Sequence, residues 1–292
     1  MDAGTRTSFV IASRNRAYEL ATTVARLLDT TRCPIIVVDN DSQDGSAVII
    51  NRIAMRSGGR LRVIALDSNL GAVGRNVGVA ACETPYVAFC DDDSWWTPDA
   101  PAVGADLFDR YPSVGLLAAR TIVWPQRRDD PFSAVLANSA LGRRRGLPGP
   151  SILGFMGCAA MVRKRAFEAA GGFSDILHFR GEEQLLALDL AALGWDLCYC
   201  PELVAIHQPS TVRATAAAQD ARALRNSVLT TWMRRPMTRC IKATGVLLRA
   251  ALRDREHARC AAEAILRLPD IVNERKPLPA HVEHDLAVVE SQ

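Results

Sequence analysis

The sequence of 292 residues lacks the features that mark membrane-spanning, secreted and nucleic-acid-binding proteins. It contains no run of about 18 apolar residues and no apolar signal segment near its N-terminus, so we expect no part of it to cross a membrane. The net charge is only +3, and neither a zinc-finger spacing nor a basic-aromatic RNA-binding motif occurs. These absences predict a cytoplasmic protein that does not bind nucleic acid.

A disulfide or zinc framework is absent as well, although the chain contains eight cysteines. They are scattered, and no pair has the two-residue spacing of a zinc site. Several lie in apolar runs, and Cys198 and Cys200 would share one face of a strand, where free cysteine packs as a small hydrophobic residue. Free thiols fit a reducing compartment.

The first 125 residues contain apolar runs that alternate with amphipathic stretches. The runs lie at residues 8–13, 34–38, 61–66, 85–90 and 115–123. Continuous apolar strands separated by helices are typical of a mostly parallel sheet covered on both faces. We therefore predict an α/β fold with a central, mostly parallel sheet flanked by helices. Right-handed crossovers would place the loops that follow the strands at one ligand-binding edge.

An acidic cluster, Asp91-Asp92-Asp93, directly follows the fourth apolar run. Alternate residues of an extended chain project to the same side, so Asp91 and Asp93 can converge while Asp92 points away. Adjacent carboxylates are costly to desolvate unless a cation or a donor-rich ligand offsets their charge. The cluster therefore predicts a divalent cation beside a ligand's phosphates, and an acidic loop or helix cap is the alternative.

Three further segments at predicted strand ends carry side chains suited to a nucleotide. The residues concerned are Ser13 and Arg14 after the first run, Asp39 and Asp41 after the second, and Arg75 and Asn76 before the fourth. A carboxylate such as Asp39 can accept hydrogen bonds from a base or a ribose, and Arg75 can neutralise a diphosphate. Each signal is weak alone, because Asp and Asn also form turns and caps. Their joint order predicts one ligand site.

These segments together resemble the family 2 glycosyltransferases of the GT-A fold. The resemblance rests on residues 37–46, 69–78 and 91–93, and on the Gly-Gly-Phe sequence at 171–173 followed by Gly-Glu-Glu at 181–183. It implies a Rossmann-like GT-A sheet and transfer of a sugar, with inversion, from a nucleoside diphosphate donor to an acceptor hydroxyl. The donor would be UDP-, dTDP- or GDP-linked, and Mn²⁺ or Mg²⁺ would be the cofactor.

The same resemblance implies roles for individual residues. It assigns the metal to Asp91, Asp93 and His207, the donor to Ser13, Arg14, Asp39, Asp41, Arg75, Asn76 and Asp92, and the catalytic base to Glu183 or Glu182. Glu183 stands where the family usually has Asp, so the choice between the two glutamates stays open. A further acidic residue often found two positions later is Leu185 here. Asp189 could compensate for it or face solvent.

The resemblance divides the chain into three parts. Residues 1–125 would form the nucleotide-sugar-binding half of the GT-A domain, residues 126–212 the acceptor-binding and catalytic half, and residues 213–292 a basic helical extension and tail. Residues 213–267 contain 12 Lys or Arg and 4 Asp or Glu. Such helices are either solvated packing helices or a site of peripheral attachment to anionic lipid. From residue 268 onward we expect a loosely ordered tail.

The acceptor implied is a glycan, a lipid-linked intermediate or a small molecule, in cell-envelope polysaccharide or glycolipid synthesis. Peripheral attachment would place the protein at the inner face of the plasma membrane. Two alternatives stay open. One is a non-catalytic binding or assembly subunit on a GT-A scaffold. The other is a nucleotidyl or sugar-phosphate transferase, although the loop after the first strand has neither the lysine nor the glycine expected of that class.

Overall fold

The computed structural model describes residues 6–210 and 215–291. Within these residues the strands are β1 (Thr7–Ser13), β2 (Ile35–Asp39), β3 (Leu61–Ala65), β4 (Tyr86–Cys90), β5 (Ser94–Trp96), β6 (Val114–Val123), β7 (Arg128–Asp129), β8 (Ala160–Arg163) and β9 (Asp196–His207). The helices are α1 (Ala17–Thr30), α2 (Ser46–Arg56), α3 (Val73–Ala80), α4 (Ala100–Arg110), α5 (Pro131–Ala137), α6 (Lys164–Ala169), α7 (Glu182–Ala192), α8 (Ala216–Arg234), α9 (Met237–Ala251), α10 (Arg255–Leu266), α11 (Leu268–Glu274) and α12 (Ala280–Glu290). The predicted boundary between residues 212 and 213 lies outside the described residues.

All nine strands form one sheet, in the order β3-β2-β1-β4-β8-β6-β9-β5 with β7 on β6. The strands β3, β2, β1 and β4 are mutually parallel, as their apolar pattern predicts. Beyond β4 the sheet is mixed, because β8 runs antiparallel to both β4 and β6, while β9 is parallel to β6. The predicted α/β class, with a central sheet flanked by helices, is confirmed. Only the N-terminal half of the sheet consists entirely of parallel strands.

The sheet is buried on both faces, which explains why its strands are apolar throughout. Alternate residues of β1 enter opposite core layers: Phe9 and Ile11 lie in one, and Val10 lies in the other. Helices α1, α2 and α4 contribute to the first layer, and α3, α6 and α7 contribute to the second. All eight cysteines are buried and free, as predicted, with Cys198 and Cys200 in the first layer.

The strand register brings the C-terminal ends of the parallel strands together at one edge. Ser13, the last residue of β1, pairs with Asp39, the last residue of β2. On the other side of β1, Ile11 pairs with Cys90 at the end of β4. The segments that leave these three strands therefore begin side by side, which is the geometry that ligand sites of parallel sheets use.

The C-terminal helices pack onto the second half of the sheet domain. Leu177 and Leu185 of that half share a buried cluster with Val228 and Leu229 of α8 and with residues of α9 to α11. No helix of the described ranges is long and apolar enough to cross a membrane.

The expectation of a loosely ordered tail is wrong for residues 268–291. Helix α12 buries Leu286 and Val282, and its Glu283 lies 2.7 Å from the buried guanidinium of Arg235. The prolines that suggested disorder mark helix starts instead: Pro279 is the N-cap residue of α12, and proline also lies in the first turn of α11. Proline fits these positions because it lacks the N–H that a helix start leaves without an intrahelical partner.

Asp189 neither faces solvent nor replaces an acidic side chain at position 185. It forms a two-pronged ion pair with Arg234 at the end of α8, with N–O distances of 2.5 and 3.0 Å. Leu185 is buried in the same contact region. Bidentate pairs of this kind fix orientation as well as adding energy. The pair therefore couples α7, which begins with Glu182, to α8.

Candidate active site

A cavity of about 630 Å³ lies at the edge of the sheet where β1 and β4 end. Its walls come from the loops after these strands, the start of α7, the end of β9 and one side of α8. Nine of the predicted site residues line it: Ser13, Arg14, Arg75, Asp91, Asp92, Asp93, Glu182, Glu183 and His207. Residues separated by almost 200 positions in the sequence therefore face one space.

Asp92 and Asp93 have different hydrogen-bond partners. Ser13 Oγ donates a hydrogen bond of 2.7 Å to Asp92 Oδ2. Asp93 Oδ1 lies 3.4 Å from His207 Nε2, and its other oxygen accepts a 3.0 Å hydrogen bond from the Ser210 backbone. His207, the last residue of β9, thus lies against Asp93 at the end of the acidic cluster.

The two carboxyl groups differ in their pKa values, and the hydrogen bond from Ser13 opposes the increase at Asp92 without cancelling it. Burial raises the pKa of Asp92 to about 7, and the carboxylates of Asp91 and Asp93 add to that effect. Burial also raises the pKa of Asp93, but the bonds from His207 and Ser210 outweigh it and leave that pKa below its ordinary value. Of the two carboxyl groups, Asp93 is therefore the one that is ionised at neutral pH.

Arg75 connects the acidic cluster to the glutamates of α7. Its buried guanidinium donates to Asp91 Oδ1 at 2.5 Å, and its Nη1 lies 3.9 Å from Glu182 Oε1. Burial lowers the pKa of Arg75, but Asp91, Glu182 and Glu183 outweigh it and raise that pKa above its ordinary value. Arg75 Nε has no hydrogen-bond partner within residues 6–210 and 215–291. A permanent cation therefore sits between two sets of carboxylates.

Glu182 and Glu183 start α7 and differ in their access to the cavity. Glu182 is only 1% exposed, and its Oε2 accepts no hydrogen bond from the described chain. Glu183 is partly exposed and approaches Gly157, where an added Cβ would lie 3.2 Å from Glu183 Oε1. Burial, chiefly, raises the pKa of each glutamate above its ordinary value, with Arg75 opposing it. Both groups can therefore accept a proton more readily than a solvent-exposed glutamate.

The segment that leads into α7 has an unusual backbone. His178, Arg180 and Gly181 all adopt left-handed conformations, with φ of 63°, 74° and 80°. The carbonyl of His178 accepts a 2.6 Å hydrogen bond from Ala72, and an added Cβ at Gly71 would lie 2.2 Å from that oxygen. Left-handed non-glycine residues concentrate at functional sites because the surrounding structure must hold them there. Gly71 is thus required for this close contact with the segment before α7.

Three predicted donor-binding residues lie outside the cavity lining. Asp39 is buried at the end of β2, and its Oδ1 has no hydrogen-bond partner in the part of the chain described. Asp41 has a φ of 62° and lies 3.7 Å from Arg14. Asn76 bonds to the backbone N–H and carbonyl of Phe173, at 2.9 and 2.8 Å, and so holds the Gly-Gly-Phe turn. Roles of these three residues in donor binding stay predictions.

One wall of the cavity was not predicted. It consists of His178, Phe179 and Arg180 before α7, and of Ala218, Gln219, Arg222 and Ala223 on α8. The α8 residues recur at a spacing of four, which places them on one side of the helix. That spacing is visible in the sequence, but no motif connects it to the strand ends. Sequence reasoning therefore assigned α8 to an appendage.

Comparisons with known proteins agree with this geometry. A family model described as glycosyl transferase family 2 matches residues 8–171, more than half of the chain. The pre-mycofactocin glycosyltransferase of Mycobacterium tuberculosis is 31% identical over 149 residues, which are 48% of this chain and 30% of that protein. The chain thus matches less than a third of that relative's length.

Two solved structures are similar over nearly the whole chain. The mannosyltransferase PcManGT from Pyrobaculum calidifontis, in complex with GDP-Man and Mn²⁺, has a TM-score of 0.61 at 16% identity and covers 98% of this chain and 86% of its own. S. aureus TarS 1-349, in complex with UDP-GlcNAc, has a TM-score of 0.60 at 15% identity and covers 98% and 84%. At such identities the likeness concerns the fold.

The sheet and the cavity at its carboxyl edge define a GT-A fold, as predicted. The chain belongs to glycosyl transferase family 2.

Proposed function

We propose that this protein transfers a sugar from a nucleoside diphosphate donor to an acceptor hydroxyl, with inversion at the anomeric carbon. The observation that carries the proposal is that one cavity holds the acidic cluster, Arg75 and the two glutamates. Inversion requires a leaving-group site and a base on opposite sides of the sugar. The acidic cluster, with Arg75 and a bound metal ion, suits the role of the leaving-group site. The start of α7, with its two glutamates, suits the role of the base.

Asp93 and His207 are the residues that would hold Mn²⁺ or Mg²⁺, with Asp91 as a further ligand. An ionised carboxylate and an imidazole nitrogen 3.4 Å apart are donors that Mn²⁺ accepts. No group of three or more His, Cys, Asp or Glu in the described residues is arranged to hold a metal by itself. Donor phosphates would therefore complete the coordination, as is common for Mg²⁺. When bound, the cation offsets the charge of the leaving diphosphate.

The remaining donor contacts come from the ends of β1, β2 and β4 and from α3. Arg75 and Arg14 would neutralise diphosphate oxygens, and Ser13 with Asp92 would contact the donor beside them. Asp39 and Asp41 would bind the base or ribose, and Asn76 would hold the turn that faces the donor. The two similar structures contain GDP-Man and UDP-GlcNAc, which supports a UDP-, dTDP- or GDP-linked donor here.

Glu183 is the catalytic base in this proposal. It reaches the cavity with partial exposure, whereas Glu182 is enclosed and lies beside the guanidinium of Arg75. A base must contact the acceptor hydroxyl, so the more accessible carboxylate suits the role. Glu182, whose pKa is raised by burial, would then act on Arg75 and Glu183 only to the extent that it is ionised. Its position in the first turn also favours a negative charge, because the helix dipole is positive there.

The proposal is tested by incubating the protein with a panel of UDP-, dTDP- and GDP-sugars, with Mn²⁺, with Mg²⁺ and with EDTA. We expect release of the nucleoside diphosphate from at least one donor, with NMR showing the inverted anomer in the product. Release of a nucleoside monophosphate or of pyrophosphate would indicate the sugar-phosphate or nucleotidyl transferase instead. Nucleotide-sugar binding without turnover of any donor would indicate a non-catalytic subunit.

We further propose that α9 to α11 attach the protein to anionic lipid at the inner face of the plasma membrane, beside envelope substrates. Exposed apolar side chains are concentrated there and include Leu252 at 89% and Leu266 at 78% exposure. Basic residues lie beside them, such as Arg249 on α9 and Arg253 in the turn that follows it, which complements an anionic surface. The eight free cysteines also fit the reducing side of that membrane.

Vesicle sedimentation tests this attachment. We expect binding to phosphatidylglycerol vesicles, weak binding to phosphatidylcholine vesicles, and a loss of about tenfold in affinity in Leu252→Gln, because one buried leucine side chain is removed. Val48→Gln replaces an equally apolar, 57% exposed side chain on α2 and serves as the control. Equal sedimentation with both lipids, or no effect of Leu252→Gln, would contradict the proposal.

A further inference from the structure

The unpredicted wall of the cavity carries positive charge next to the proposed base. Arg180 lies two residues before Glu182, and Arg222 projects from the side of α8 that faces the cavity. Phe179, directly before Arg180 in the chain, has 46% of its surface exposed. An exposed aromatic ring flanked by guanidinium groups offers an apolar platform and charged hydrogen-bond donors to one ligand.

The charges of this wall are only partly neutralised by the protein. The Arg180 guanidinium bonds to the neutral Gln219 amide, whereas Arg225, outside the cavity lining, pairs with Glu263 at 2.5 Å. Arg222 is exposed and forms no ion pair or hydrogen bond with any residue in 6–210 or 215–291. An arginine held in a cavity wall without a carboxylate partner is available to a ligand anion.

The positive charge of this wall also acts on His178. Its imidazole is half-buried on this wall, and burial lowers its pKa. Four guanidinium groups, those of Arg222, Arg225, Arg267 and Arg14, lower that pKa further. Cations from the first loop and from the C-terminal helices therefore act on one side of the cavity.

This wall lies on the acceptor side of the proposed reaction. In the proposed function the donor diphosphate already binds Arg75 of α3 and the proposed cation site. The acceptor hydroxyl must instead approach Glu183, at the start of the helix that Phe179 and Arg180 precede. The uncompensated charge is therefore placed to bind the body of the acceptor.

We propose that the acceptor carries an anionic group, a carboxylate or a phosphate, which binds to Arg222 and Arg180 while its hydroxyl approaches Glu183. The proposal rests on the proposed function and adds the chemical class of the acceptor. Guanidinium groups bind both anions through paired charge-assisted hydrogen bonds, so the structure alone points to their shared chemistry.

Three matched sugars test the proposal: methyl glucoside, methyl glucuronide and methyl glucoside 6-phosphate. They share a ring and differ at C6, which carries an alcohol, a carboxylate or a phosphate. Calorimetric titrations use the full chain alone and with Mn²⁺ plus UDP or GDP. We expect at least one anionic sugar to bind about tenfold more tightly than the neutral one, because a charge-assisted pair is gained. The tighter of the two identifies the anion.

Arg222→Gln should reduce that preference to less than about twofold, since the guanidinium pair is lost. Arg52→Gln, which changes an exposed arginine on α2 outside the cavity, should retain it. The proposal is overturned if neither anionic sugar binds better than methyl glucoside, or if Arg222→Gln keeps the preference. It is also overturned if Arg222→Gln weakens nucleotide binding by the same factor, which would assign Arg222 to the donor. Absence of nucleotide binding in the wild type would instead count against the proposed function.

Discussion

Replacing Glu183 by Gln is expected to lower kcat by about 10³-fold, within the range that a positioned general base contributes. The substitution keeps the size and the hydrogen-bonding shape of the side chain but removes its ability to accept a proton. The rate of sugar transfer is measured at saturating donor and acceptor, so that a change in binding does not enter the comparison. Glu83→Gln, an exposed change before β4, should keep the wild-type rate.

Glu182→Gln separates the two glutamates. Glu182 lies 3.9 Å from Arg75 and is almost fully buried, so its loss should act through charge and cost roughly tenfold rather than a thousandfold. If Glu182→Gln has the larger effect, the base is Glu182. If neither change reduces kcat by more than about tenfold, the general-base role of this pair is wrong.

The pH profile gives a second readout of Glu183→Gln. Burial raises the pKa of Glu183 above its ordinary value of 4.5, and a base must be deprotonated to act. Activity of the wild type should therefore fall with decreasing pH along a limb that lies above pH 4.5. The residual activity of Glu183→Gln should lack this limb, because amide side chains do not titrate. A limb that persists in Glu183→Gln would come from another group.

Replacing Asp93 by Asn is expected to lower kcat/KM by about 10² to 10³-fold, since it removes the ionised ligand of the proposed cation, whose role would be to offset charge on the leaving group. Removing metal from the wild type with EDTA should cause a loss of similar size. The residual activity of Asp93→Asn should be insensitive to EDTA, which a general loss of stability would not produce. Activities are measured over a range of Mn²⁺ concentrations.

Asp29→Asn is the matched control for the metal prediction. Asp29 is exposed near the end of α1, which returns from the site to the opposite edge of the sheet. It should keep both the activity and the EDTA response of the wild type. Full activity of the metal-free wild type, or an unchanged Mn²⁺ response in Asp93→Asn, would refute the assignment of Asp93.

Much of the site could be predicted because its residues follow local rules. A buried strand that ends in Asp91, and a helix that begins with Glu182, are both visible as changes in hydropathy and periodicity. Parallel strands then bring their ends to one edge whatever the rest of the fold does. The register of Ser13 beside Asp39 shows this directly. The α/β class and the burial of the cysteines followed from the same patterns.

Other features depended on contacts between distant segments. The direction of β8 has no local signal, because an apolar strand shows the same residue pattern whether it runs parallel or antiparallel. The packing of α12 has none either, because a proline can mark the start of a helix or its end. The pair of Asp189 with Arg234 is equally invisible, since a lone acidic residue on a helix more often faces solvent. The tail after residue 267 was wrongly predicted to be loosely ordered because the packing of α12 has no such local signal.

The sequence by itself determined which strand ends carry carboxylates, arginine and serine, because side-chain type and strand periodicity are local properties of the chain. Tertiary structure alone decided that α8 closes the cavity and that Arg222 and Arg180 share a wall with Glu183. That arrangement arises from the packing of the C-terminal helices on Leu177 and Leu185, and such packing depends on the shapes of surfaces that sequence patterns do not encode.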